Sequence, residues 1–146
     1  MKTTAMSREI GGFIPKLKGF LKKQDFVSVA YIFGSAAEGK QGPLSDIDIA
    51  VLMDKTLNKK ERDRKKIFLI GKISSILKTD NFDLVVMNDA PMLMKYSIIK
   101  TGRLLRSGRE RVAMETDIMS EYLDRKFYDE MYARMSLERI SKEGIA

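Results

Sequence analysis

The stretch that decides the fold reads Tyr31-Ile32-Phe33-Gly34-Ser35, then ten residues, then Asp46-Ile47-Asp48-Ile49-Ala50-Val51. Val27–Phe33 is short, β-branched and aromatic, and it stops at Gly34, which predicts a buried strand followed by a turn. Gly39, Gly42 and Pro43 mark 36–45 as a loop, and Ile47–Leu52 reads as a second strand. Side chains alternate along a strand, so Asp46 and Asp48 share one face while Ile47, Ile49 and Val51 face the core. Two residues along a strand span about 6.6 Å. Two carboxylates at that separation repel by about 2.5 kcal/mol at an effective dielectric of about 20. Asp is also disfavoured in strands. The pair therefore reads as a cation site rather than as two solvated surface aspartates. Gly34 allows the backbone to turn tightly and approach a phosphate, whose oxygens backbone N–H groups can cradle. The Ser35 hydroxyl adds a donor. Ser45, beside Asp46, reads first as a turn cap and second as a phosphate contact.

A third acid, Asp83, lies at the start of Phe82–Met87, which reads as a third strand. If that strand neighbours the second, Asp83 joins the pair, and three carboxylates complete an oxygen-only site for two Mg²⁺ ions. Farther out, Ile10, Phe13, Ile14, Leu17, Phe20 and Leu21 recur at helical spacing over Ser7–Lys23, with Gly11, Gly12 and Pro15 near the start. Lys59–Lys78 predicts a second helix with Ile67, Ile70, Ile73 and Leu77 on its apolar face. Pro91 opens a helix running to about Lys100, which Gly102 stops. Leu104–Leu105 reads as a short edge strand, and Glu110–Ile140 as one or two helices without internal Gly or Pro. No repeat, linker or low-complexity tract interrupts residues 1–146, which predicts a single α+β domain: a small mixed sheet, flanking helices, and a helical tail over about 110–146.

Composition narrows the chemistry. The 146 residues carry net charge +7 and contain no Cys, His or Trp. Without Cys there is no disulfide framework, thiolate nucleophile or zinc–thiolate site. Without His there is no imidazole base and no Ser–His–Asp triad. Oxygen donors then point to Mg²⁺, Mn²⁺ or Ca²⁺. No apolar run of about 20 residues and no signal-peptide core is present, so a cytoplasmic protein with no membrane partner is expected. The densest basic run, Lys55 to Lys66, interleaves Glu61 and Asp63 and has no aromatic residue. It reads as a solvated helix face rather than a nucleic-acid patch. A modest positive field suits a polyanion such as a nucleoside triphosphate.

The residues in Gly34-Ser35, a ten-residue gap and Asp46-Ile47-Asp48, with Asp83 later, resemble the signature of the DNA polymerase β-like nucleotidyltransferase superfamily. Within it the chain is similar to the minimal nucleotidyltransferases of the MntA-type antitoxins. Phe82-Asp83-Leu84-Val85-Val86 and the following Asn88-Asp89-Ala90-Pro91 resemble that family's third-acid strand and helix start. Tyr122-Leu123-Asp124 resembles its tail. The resemblance implies a polymerase β-like nucleotidyltransferase core that binds ATP with Mg²⁺, Mn²⁺ being the alternative. It implies metal and catalytic roles for Asp46, Asp48 and Asp83, and nucleotide contacts for Gly34, Ser35 and Ser45. The reaction implied is transfer of AMP to an acceptor hydroxyl, in this branch a tyrosine of a HEPN ribonuclease toxin. One departure stands out: many relatives have basic residues after Gly-Ser, whereas this chain has Ala36-Ala37-Glu38. That lowers the expected triphosphate affinity and leaves the metal acids untouched. Two other readings compete, a small-molecule acceptor and a non-catalytic antitoxin that only covers its toxin.

The tail carries Met119, Leu123, Phe127, Met131 and Met135 in steps of four, with near-balanced charge. The expectation is an apolar stripe packed partly on its own domain and partly on a protein partner, as a homodimer or a hetero-oligomer. Arg103, Arg106, Arg109 and Arg111 read as surface residues first.

Overall fold

The computed structural model describes residues 2–34 and 47–143, with side chains from 12 to 142. The elements run α1 (Lys2–Lys22), β1 (Val27–Phe33), β2 (Ile47–Met53), α2 (Lys59–Leu77), β3 (Phe82–Val86), a 3₁₀ turn (Met87–Asp89), α3 (Met92–Thr101), β4 (Arg103–Arg106) and α4 (Arg111–Glu143). The strands form one mixed sheet in the order β3-β2-β1-β4. β1 is antiparallel to both β2 and β4, while β2 and β3 are parallel. A small mixed sheet with flanking helices and a helical C-terminal segment is the α+β architecture expected.

Alternation sorts the strand residues into two cores. Ala30, Ile32, Ile49, Val51, Leu84 and Val86 face α1 and α2, where they pack with Leu17, Leu21, Leu69, Ile73 and Leu77. Val29, Tyr31 and Ala50 face α3 and α4, where Ile98 and Ile118 close a second core with Met87. A register shift between Val27 and Val29 lets both point inward to opposite cores. Gly108 lies against the Ser28 carbonyl beside that bulge, so close that any Cβ would overlap the oxygen.

Three local expectations are corrected. α1 begins at Lys2 and runs through Pro15, because burial of Leu17 and Leu21 holds the helix together where propensity alone would break it. On α2 the buried stripe is Leu69, Ile73 and Leu77, whereas Ile67 is 72% exposed and Ile70 also faces solvent. Ile67 precedes Leu69 by two residues, about 200° round the helix, which puts it opposite the sheet. The tail is one continuous helix, and its stripe from Met119 to Met135 does not rest on the domain. Those five side chains are all exposed, and the domain is touched instead by Met114, Ile118 and Tyr122.

Two polar clamps fix the second layer. Tyr31, buried in β1, donates a 2.5 Å hydrogen bond to Glu115 of α4, which also pairs with Arg111. Burial and the neighbouring Glu115 carboxylate push the Tyr31 phenol well above its ordinary value, so it stays protonated. Asn88 accepts from the Met53 N–H at 2.8 Å and donates to the Met53 carbonyl at 2.9 Å, completing the end of β2 with a side-chain amide.

Candidate active site

Parallel pairing of β2 with β3 places Asp48 directly beside Asp83. Neighbouring strands lie about 4.8 Å apart. The two carboxylates leave the sheet on the same face, the one that carries Ala50 and Val85. α3 and α4 cover that face farther along, and Asp48 remains half-buried and Asp83 exposed. The sequence condition that the third strand neighbour the second is thus met geometrically.

β1 delivers the other component. Phe33 pairs with Asp48 in the antiparallel ladder, so Gly34, the next residue, turns over the Asp48 side chain. Gly34 has φ +75°, a left-handed conformation that favours glycine. A Cβ there would overlap an Asp48 carboxylate oxygen. Glycine is required at this position for two independent reasons: its backbone angle and its closeness to the acid.

Ser35, Ser45 and Asp46 lie outside the described residues, as do Ala36, Ala37 and Glu38. Among the described residues no three acidic, His or Cys side chains gather as a metal-holding group. The donor set that is described, two carboxylates in register with no Cys or His anywhere in the chain, fits a hard, oxygen-ligated cation such as Mg²⁺ or Mn²⁺.

Sequence reading missed several neighbours of this site. A hollow of about 190 Å³ at the open edge of β3 is lined by Lys66, Ile70, Asp80, Phe82, Asp83 and Leu84. Lys66, read as part of a solvated run, therefore borders the same hollow as Asp83. Other cations of that run are engaged in pairs. Arg62 binds Asp89 through two hydrogen bonds of 2.7 and 3.1 Å and reaches the Leu57 carbonyl. Lys59 pairs with Asp63, and Lys65 sits 4.8 Å from the Phe26 ring centre. The Arg62 guanidinium holds the Asp89 carboxyl below the usual carboxylate range. Arg106 is structural: it donates to the carbonyls of Val27 and Lys22 at 2.7 Å each. The only sequence signal for the Tyr31 clamp is a phenol within the apolar run Val29 to Phe33, because a buried hydroxyl needs a partner. No local pattern announces the Asn88–Met53 pair.

No described helix is long and apolar enough to cross a membrane. Comparison with solved structures places the architecture among known ones. A chain of an MntA–HpeT toxin–antitoxin mutant superposes with TM-score 0.61 at 26% identity, covering 85% of this chain and 94% of that one. A toxin–antitoxin structure with AMP-PNP gives 0.60 at 22%, covering 90% and 98%. A complex of tri-AMPylated Shewanella oneidensis HEPN toxin with MNT antitoxin gives 0.55 at 19%, covering 92% and 98%. No curated protein matches by sequence. The family model described as polymerase beta, nucleotidyltransferase, matches residues 15–111, which span β1 to β4 and hold Gly34, Asp48 and Asp83. The chain belongs to the polymerase beta nucleotidyltransferase family.

Proposed function

We propose that this nucleotidyltransferase moves AMP from ATP to a hydroxyl on a protein partner, and that the partner is a HEPN-type toxin which the transfer silences. The observation that carries the chemistry is the in-register pair Asp48 and Asp83 beneath the glycine turn at Gly34. Asp46, two residues before Asp48, is assigned as the third carboxylate. Asp46, Asp48 and Asp83 would hold one or two divalent ions, which when bound neutralise triphosphate charge and polarise the reacting oxygens. Gly34 and Ser35 cradle phosphate oxygens from the turn after β1, and Ser45 caps the approach to Asp46 or adds a contact. In the reaction the acceptor oxygen bonds to the α-phosphorus and the bond to the β-phosphate oxygen breaks, releasing pyrophosphate. The acceptor proton leaves to a carboxylate of the cluster, since no imidazole exists to take it. Asp83, the more exposed of the two described carboxylates, faces an incoming hydroxyl.

The assignment of a toxin partner draws on the structural relatives, each solved as a toxin–antitoxin pair and one with an AMPylated HEPN toxin. Engagement of Arg62, Lys59 and Lys65 within the fold favours this over a nucleic-acid acceptor. Co-expression tests it. The chain relieves growth arrest by a cognate HEPN toxin, and Asp48→Asn fails to do so at equal expression. Equal relief by Asp48→Asn would replace the catalytic antitoxin with a merely covering one.

A further inference from the structure

The second half of α4 buries none of its described side chains in its own chain; its nearest approach is a hollow that Arg125, Lys126, Asp129 and Glu130 share with Met92 and Leu93 of α3. Ile118 is its last buried side chain, Tyr122 stacks on Tyr96 at 3.6 Å between ring centres, and every residue from Leu123 to Lys142 is exposed. That is 20 residues, or about 30 Å of helix. It begins after the family match ends at 111. An isolated helix of this length is marginal in water, and this one is far from polar: Phe127 is 64% exposed, Tyr132 70% and Met135 58%. At about 100° per residue, Tyr128, Met131, Tyr132 and Met135 fall within an arc of about 100°. Tyr and Met on one exposed patch is the composition of an interface core.

Charge along the same arc identifies the occupant. Before the apolar patch the arc carries Glu121 and Asp124, and after it Arg139 and Lys142. Glu121 and Asp124 stand at the same distances from the midpoint between Met131 and Tyr132 as Lys142 and Arg139 do on the other side. A parallel copy would set acids against acids. An antiparallel copy sets both acids against both bases at each end, with Tyr128 facing Met135 across the centre. Arg125 and Glu138 sit just outside the arc, and an antiparallel copy sets them opposite each other as well. The residues that border α3, namely Tyr122, Arg125, Lys126, Asp129 and Glu130, lie outside the arc, so the face offered to a second copy points away from the rest of the chain.

We infer that α4 pairs antiparallel with α4 of a second copy of this chain, about a two-fold axis between Met131 and Tyr132. This isologous contact uses one self-complementary face and does not rest on the assigned reaction.

Analytical ultracentrifugation of the full chain tests the pairing with two charge-swapped variants. One carries Glu121→Lys with Asp124→Lys, and the other Arg139→Glu with Lys142→Glu. The parent chain is expected to dimerise reversibly at about 10–100 μM. Each variant alone meets like charge at both ends, so its dissociation constant rises at least about tenfold. An equimolar mixture of the two restores every opposite-charge contact and returns to within about threefold of the parent. A monomeric parent at all concentrations up to about 1 mM overturns the inference. So does dimerisation indifferent to either swap, or a mixture no tighter than its components. A patch engaged only when a HEPN-type protein is added would make it a hetero-interface instead and equally overturn the inference.

Discussion

The backbone of Gly34 lies so close over the Asp48 carboxylate that a methyl group on Gly34 would overlap one of its oxygens. The turn and the acid are therefore one unit: the strand that ends in glycine presses its turn onto the carboxylate that leaves the neighbouring strand. Gly34→Ala combines a positive φ, costing about 1–2 kcal/mol in a non-glycine residue, with displacement of Asp48. The expected result is a folded protein with a lowered melting temperature and nucleotidyl transfer reduced at least about 100-fold. Transfer and thermal unfolding measured on the same preparation check this. A Gly34→Ala protein with parental transfer would show that the glycine serves the turn alone.

Asp48→Asn and Asp83→Asn each remove one charge from a pair held side by side by the β2–β3 register. Each variant should fold, and Asp83→Asn should have stability in the absence of divalent ions equal to or above the parent, because a repulsion is relieved. The extra stability conferred by Mg²⁺ should shrink, since a ligand stabilises only through its binding to the native state. Thermal melts with and without Mg²⁺ decide it, and an unchanged Mg²⁺ increment in both variants would remove these residues from the metal site.

Much of this was legible in the sequence because it rests on alternation. Val27–Phe33 and the run from Ile47 are short apolar runs rich in β-branched residues, alternation sends their side chains to the two faces, and the structure places both as neighbouring central strands. The placement of Asp83 beside Asp48 needed more, because parallel pairing depends on a crossover helix whose length and packing no local pattern specifies. Helix faces were less legible. Ile67 and Ile70 are as apolar as Ile73, yet only the side turned to the sheet is buried, and Leu69 takes that place. The Asn88–Met53 clamp joins residues 35 apart by geometry alone. The tail stripe was visible as periodicity, but periodicity does not say what covers it, and the domain does not.

Tyr31→Phe removes the donor to Glu115 and should cost about 1 kcal/mol or more near neutral pH. The raised phenol value means that the folded state keeps a proton that the unfolded chain releases above its ordinary value of 10.0. Its contribution is therefore complete below pH 10.0 and declines as pH rises beyond it. Denaturant melts across that range should fall less steeply for Tyr31→Phe than for the parent. Parallel curves would place the phenol in an ordinary environment.

Asp89, held below its usual value of 3.8 first by the Arg62 hydrogen bonds, acts in the opposite direction. Its folded value is depressed, so the stability it supplies is present above pH 3.8 and is lost as pH falls. Arg62→Met should flatten the acid limb of the stability curve and leave the alkaline limb alone. An unchanged acid limb would mean that the pair contributes nothing in solution.

Asn88→Ala strands both the N–H and the carbonyl of Met53 at the end of β2, at a cost of about 1–3 kcal/mol. Hydrogen exchange at the Met53 amide is the direct readout, and it should accelerate more than the exchange of the β1 amides. Retained protection of the Met53 amide would assign its ordering to the backbone ladder.

The central claim is AMP transfer, and the most direct measurement follows the α-phosphate. The purified chain is incubated with Mg²⁺, a HEPN-type toxin and ATP labelled in its α-phosphate. The account predicts label on a tyrosine of the toxin, release of pyrophosphate, dependence on Mg²⁺, and loss of label with Asp48→Asn or Asp83→Asn. Toxin that stays unlabelled while the chain still neutralises it, or labelling that persists in both aspartate variants, would contradict it.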